Sequence, residues 1–227
     1  MIPVGPVVLA TILIVKMPEE EWIVPPVRTP LNGDEKFEGM NGNVGDFWRF
    51  ALPNLQMNNA RGYFAEYLVA RGLGMESPRR VEWDAYDLAW EKITIEVKST
   101  AYLQAWEQQK RSALVFQGLK AKRWLPRQGL DPAERSYNAE VYVFCAQVCE
   151  SHSEYWPLDI GQWRFAVLSR SELASPGYSS VSWDTVLRLA GSQTQWSALP
   201  ATVRSAAGDQ HTGLGLSSDS GSDDSSV

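Results

Sequence analysis

Asp87, Glu96 and Lys98 lie in the stretch 84–106, DAYDLAWEKITIEVKSTAYLQAW, and their types and spacing define a piece of chemistry. Residues 93–98 read as an apolar strand that ends in Glu96-Val97-Lys98. Successive strand side chains alternate faces, so Glu96 and Lys98 point one way while Ile95 and Val97 point the other. Residues 81–90 read as the preceding strand, joined through a tight turn at Glu91-Lys92 to make a hairpin. Asp87, nine residues before Glu96, then sits beside it near the open end of that hairpin. Two carboxylates brought together repel and raise each other's pKa. A divalent cation relieves the repulsion, and hard oxygens suit Mg2+ or Mn2+. A lysine two residues on is placed to orient or deprotonate an attacking water.

The elements that must position these groups read as an α/β core. NNARGYFAEYLVARGLG, 58–74, reads as a helix capped by Asn58 or Asn59 and ended by Gly72 or Gly74. Phe64, Tyr67, Leu68 and Arg71 form its mostly apolar stripe, and Glu66 rides on the same helix. Residues 100–110 read as a loop and short helix carrying Gln104, with Ser99 and Thr100 as its candidate caps. Three more strands are expected at 112–117, 141–148 and 163–169, and Ser182 is expected to cap a last helix at 183–189.

Both ends of the chain read differently. Residues 1–45 carry scattered prolines and turn chemistry and read as a leader and linker. The apolar run 2–15, IPVGPVVLATILIV, is too short for a membrane span and lacks the flanks of a signal peptide. It suggests a start codon placed too early, with Met17 or Met40 as the start, and leaves a membrane anchor as the weaker alternative. Residues 46–200 form the expected domain. Residues 201–227 end in GLGLSSDSGSDDSSV and read as a disordered acidic Ser/Gly/Asp tail.

The formal net charge is −6, which taken alone disfavours a nucleic-acid partner. The distribution says otherwise. Residues 1–40 and 201–227 carry four Lys/Arg against ten Asp/Glu, while 41–200 carry 17 of each. Within the middle, 110–135 hold seven Lys/Arg against Asp131 and Glu134. Lys120, Lys122, Arg123 and Arg127 surround Trp124, a pattern suited to phosphate contact with a base stacked on the indole. A solvated charged face is the plainer reading of the same run. Cys145 and Cys149 are the only cysteines, which fits a reduced cytoplasmic setting. With His152 they offer three metal ligands at most, so buried thiols are the default.

Asp87 followed by Glu96-Val97-Lys98, with Glu66 on the preceding helix and Gln104 six residues after Lys98, resembles the PD-(D/E)XK nuclease superfamily. The resemblance covers residues 58–150 and is weaker from there to about 190. It implies a restriction-endonuclease-like core, a mixed central sheet flanked by helices with flexible termini. It further implies metal-dependent hydrolysis of DNA phosphodiester bonds leaving a 5′-phosphate, with RNA as an open alternative. Asp87, Glu96 and the Val97 carbonyl would hold Mg2+ or Mn2+. Lys98 would position or activate the water, and Glu66 would hold a second metal or orient Lys98. Gln104 would be the polar residue some members carry on the following helix. Many members are homodimers, and any helicase or methyltransferase partner would be a separate chain.

Context rather than the tripeptide carries the resemblance. Seven Lys and 27 Asp/Glu in 227 residues predict about one acid-x-Lys triplet by chance, and the chain has two. Asp34-Glu35-Lys36 lies among Gly and Asn with no strand around it. The pattern is departed from where Tyr86, not Pro, precedes Asp87, and Asp84 competes with Asp87 for the acidic role. A charged surface hairpin is the bland reading of Glu96 and Lys98. Two other functions compete: a binding module on the same fold without catalysis, and an interaction protein whose acidic tail meets a basic partner.

Overall fold

The computed structural model describes residues 23, 26, 28–78, 80, 85–125 and 129–208. The chain divides into two units, Met1–Leu31 and Asn32–Val227. In the first, residues 23, 26 and 28–31 are described and form neither helix nor strand. The apolar run at 2–15 lies outside the described residues.

The second unit runs α1 (Val44–Ala51), α2 (Asn58–Gly72), β1 (Leu88–Trp90), β2 (Ile93–Ala101), β3 (Val115–Phe116), β4 (Trp124–Leu125), β5 (Gly129–Leu130), β6 (Val141–Gln147), β7 (Trp163–Ser169), α3 (Arg170–Ala174), β8 (Val181–Ser182), α4 (Trp183–Ala190) and α5 (Leu199–Ala207). The central sheet has the order β1-β2-β6-β7. β1 pairs antiparallel with β2, β2 parallel with β6, and β6 antiparallel with β7. The fold is therefore α/β with a mixed central sheet, as expected. Among the described residues no helix is long and apolar enough to cross a membrane.

Alternation along the strands builds two cores. Ile93, Ile95 and Val97 of β2 face Ala65, Val69 and Ala70 of α2 and Leu199 and Val203 of α5. On the opposite side, Tyr142, Phe144 and Ala146 of β6 meet Phe116, Leu119, Leu173, Val181, Trp183 and Val186. All seven residues of β6 are buried, as a strand covered on both faces requires. Cys145 lies inside this strand and Cys149 just beyond it; both are free thiols, and burial pushes the Cys145 thiol up.

Several expected boundaries move. α2 buries Ala60, Arg61, Ala65, Val69 and Ala70; of the expected stripe, Phe64 and Leu68 pack half-buried against the core while Tyr67 is exposed, so the buried face is centred on small residues one step round the helix. Neither Asn58 nor Asn59 caps it: Met57 is the N-cap, and Asn58 Oδ1 instead accepts from Arg61 at 2.7 Å. The strand expected at 112–117 shrinks to the two residues of β3, and 100–110 forms no helix because β2 continues through Ala101. The expected boundary at 200 falls inside α5, whose Leu199 and Val203 are fully buried. From 209 onward the acidic tail lies outside the described residues.

Candidate functional site

The turn between β1 and β2 sets the register of the site. Glu91 and Lys92 both take positive φ, 49° and 70°, the two-residue geometry that matches strand twist. Arg204 of α5 holds Glu91 through two bonds of 2.8 and 2.7 Å. With Trp90 opposite Ile93 and Leu88 opposite Ile95, the ladder carries Asp87 to the position opposite Glu96. The Asp87 amide donates to the Ile95 carbonyl at 3.1 Å. Asp87 Oδ2 accepts from the Val97 amide at 2.8 Å. Lys98 Nζ donates to Glu96 Oε1 at 2.6 Å, and both side chains are less than one-fifth exposed.

Glu66 approaches from α2. It pairs with Arg80 Nε at 3.0 Å and lines a cleft of about 130 Å³ with Tyr63, Tyr67, Ala70, Pro78, Arg80 and Leu88. The Arg80 guanidinium also lies over the Tyr63 ring at 4.6 Å. Arg80 was not among the residues the sequence singled out. It lies between elements, where no periodicity marks it, and only its place in space joins it to Glu66.

The electrostatics tie the three carboxyl groups together. Burial, then the charge of Asp87, pushes Glu66 up to about 7 against the opposing pull of Arg80. Burial raises Asp87 as well, opposed by the Val97 amide, Lys98 and Arg80. Glu96 is raised by burial and by Asp87, opposed by Lys98. Three carboxyl groups therefore face two cations in a half-dry site, which favours uptake of a proton or a further cation. Among the described residues, no three His, Cys, Asp or Glu side chains are gathered as a ready metal cluster. Asp84, the competing acid, lies outside the described residues.

Gln104 does not join this group. It lies in the loop after β2, is 7% exposed, and sits in a polar network of its own. Its Nε2 donates to the Ala101 carbonyl at 3.0 Å and its Oε1 accepts from Arg61 at 3.3 Å. The expectation of a helical residue facing the carboxylates is thereby corrected. Arg61 is itself buried, its guanidinium bonded to the Gln56 carbonyl, Asn58 and Gln104 with no carboxylate partner among them.

The basic residues occupy the crossover between β2 and β6. Lys122 and Arg123 are exposed, and Arg123 Nε donates to Asn138 Oδ1 at 3.1 Å. Lys120 donates to the Gly177 carbonyl at 3.2 Å and lies 5.1 Å from the Tyr137 ring centre, so part of its reach is already used. Arg127 lies outside the described residues. Gly118, just before this segment, approaches the carboxylate site: a Cβ added there would lie 4.0 Å from Lys98 Nζ.

Compared with known proteins, the chain matches no family model, no curated protein and no solved structure.

Proposed function

We propose that the chain is a metal-dependent nuclease of the PD-(D/E)XK type, built on a restriction-endonuclease-like core and acting on DNA. The observation that carries this reading is the placement of Asp87 opposite Glu96 and Lys98 at one end of the β1–β2 hairpin, with Glu66 of α2 near enough to feel the charges of Asp87 and Glu96. The donor set fits a hard divalent cation. Its oxygens are carboxylate oxygens and the Val97 carbonyl, and the negative charge is incompletely balanced by Lys98 and Arg80. Asp87, Glu96 and the Val97 carbonyl would hold Mg2+ or Mn2+, with Glu66 at the margin.

When bound, the cation would supply charge against the scissile phosphate and a more acidic water. The chain's own groups do the rest. The Val97 amide fixes the Asp87 carboxylate in one orientation. Glu96 would exchange its contact with Lys98 for the cation, which frees the ammonium to hold the attacking water and to offset negative charge developing on the phosphate. Arg80 restrains Glu66 at the edge of the cleft. Cleavage of plasmid and single-stranded DNA with Mg2+ or Mn2+ tests the reading. Glu96→Ala and Lys98→Ala should abolish it with the fold retained, and full activity in either variant refutes the assignment.

One observation favours a second reading. Lys98 and Glu96 are joined at 2.6 Å, a pair complete without a metal, as in a binding module that does not catalyse. DNA retention that ignores both Mg2+ and Glu96→Ala, with no cleavage under any metal, identifies that module.

A further inference from the structure

We propose that the cleft at the carboxyl ends of β2 and β6 is a binding site for a phosphate monoester, with Arg61 as its cation and Trp106 as the platform for an attached base. The site stands apart from the carboxylates and does not depend on the nuclease reading.

β2 and β6 are the parallel pair of the central sheet, and their register runs out with Ala101 beside Gln147. The loops that follow the two strands therefore leave the sheet at one place. In open α/β sheets, ligands settle in the crevice beyond the carboxyl ends of the strands. Here that crevice is a cleft of about 610 Å³, lined by Gln56 from the turn before α2, Gln104 and Trp106 from the loop after β2, and His152 from the loop after β6. Its size suits a nucleotide. Trp106 and His152 are exposed.

Behind this lining lies Arg61, 6% exposed. Its Nη2 donates to Asn58 Oδ1 at 2.7 Å, and its Nη1 donates to the Gln56 carbonyl and to Gln104 Oε1 at 3.3 Å each. Among the described residues Arg61 Nε has no acceptor, and the buried Tyr155 hydroxyl has no partner either. The two side chains are near enough to feel each other's charge. No carboxylate among the described residues pairs with Arg61. A buried cation without a counter-charge is costly, and neutral acceptors offset that cost only in part. The start of α2 adds to the imbalance. No side chain caps it, no acid lies in its first turn, and its dipole brings further positive charge to the same end. Glu107 is the acid on the cleft, and it is exposed.

The two contacts on Nη1 are long, and the residues that make them, Gln56 and Gln104, are the ones that line the cleft. An oxyanion that turns Gln104 Oε1 aside replaces a weak neutral acceptor by a charge-assisted one. Gln56 Nε2 and His152 Nδ1, 3.4 Å apart, stand on the same wall for the remaining oxygens. A phosphate monoester has three terminal oxygens to share among these groups, where a carboxylate has two. The Trp106 indole gives the attached base a face to stack on.

The test is binding in EDTA, with location read by proton NMR and affinity by calorimetry. The chain has two histidines, His152 and His211, so few imidazole signals need assigning, and His152→Ala assigns them. Inorganic phosphate and thymidine 5′-monophosphate, at constant pH and ionic strength, should move the His152 signal saturably and leave His211 in place. Thymidine should not. Arg61→Gln should weaken both ligands about ten- to a hundredfold. Trp106→Leu should weaken the nucleotide about five- to a hundredfold and leave inorganic phosphate unchanged. Preference for an oligothymidylate with a 5′-phosphate over one with a 5′-hydroxyl, lost in Arg61→Gln, identifies a strand end as the source of the phosphate. Binding of the free nucleotide without that preference identifies a mononucleotide. The proposal is overturned if neither phosphate ligand moves the wild-type His152 signal, which leaves the unpartnered groups to bound water. It is also overturned if thymidine binds as tightly as its monophosphate, or if folded Arg61→Gln binds like wild type. Should Arg61→Gln fail to fold, the exposed positions carry the test, and nucleotide affinity unchanged in both Trp106→Leu and His152→Ala overturns it.

Discussion

Replacing Glu66 by Gln should make the metal-free protein more stable at alkaline pH. The carboxyl is shifted from 4.5 to about 7, chiefly by burial and by the charge of Asp87. At about 1.36 kcal/mol per pKa unit, that shift bounds the cost of ionising Glu66 in the folded state at roughly 3.4 kcal/mol. The cleft is open on one side, so screening brings the expected value down to about 1–2 kcal/mol. The opposing pull of Arg80 is already contained in the shift. The sign follows from proton binding. With its folded pKa raised, Glu66 holds a proton in the folded state that the unfolded chain has released, so stability falls as pH rises from about 4.5 through 7. Gln cannot ionise and escapes that loss. Urea melts in EDTA should show Glu66→Gln equal to wild type near pH 4.5 and more stable by about 1–2 kcal/mol at pH 8, which in a thermal melt is about 2–8 °C for a chain of this size. Added Mg2+ should then stabilise wild type more than the variant. A variant less stable than wild type at pH 8, or an equal difference at both pH values, refutes the electrostatic argument.

Asp87→Asn keeps an oxygen for the Val97 amide and removes the charge, so cleavage should be lost while the melting midpoint is retained or rises; a folded variant with wild-type activity would shift the acidic role to Asp84. Gln104→Leu leaves the Arg61 guanidinium short of an acceptor, and about 1–3 kcal/mol of stability should be lost in chemical denaturation, with Mn2+ affinity unchanged by calorimetry. Altered metal affinity there would return Gln104 to the site. Gly118→Ala forces a side chain onto φ +67° and should cost about 1–2 kcal/mol in the same melts. A Gly118→Ala variant as stable as wild type would contradict the backbone geometry beside Lys98.

The hairpin and its carboxylates were legible in the sequence because strand alternation and a two-residue turn are local rules. Asp87 opposite Glu96 follows from counting residues across Glu91-Lys92, and the strand at 163–169 likewise follows from local patterning. What was not legible depends on distant partners. The core face of α2 is centred on Ala65, Val69 and Ala70, small residues that allow close packing on β2, with Phe64 and Leu68 at its flank, so the bulky residues alone mark it only in part. Gln104 was drawn toward the carboxylates by its spacing from Lys98, yet the buried Arg61 needed an acceptor and took it instead. α5 hides in a segment whose composition reads as tail, and only Leu199 and Val203 reaching the sheet show it to be core. Arg80 joins Glu66 from a segment without pattern, so no spacing in the chain announces the pair.

The most direct test of the central claim is calorimetric titration of Mn2+ into wild type, Asp87→Asn and Glu96→Gln, with cleavage of plasmid and single-stranded DNA followed in the same samples. The proposed site predicts binding and metal-dependent cleavage in wild type, and loss of both in each variant with the fold intact. No Mn2+ binding by wild type, or binding that survives both substitutions, would contradict it and leave Glu96 and Lys98 as an ion pair on a charged hairpin.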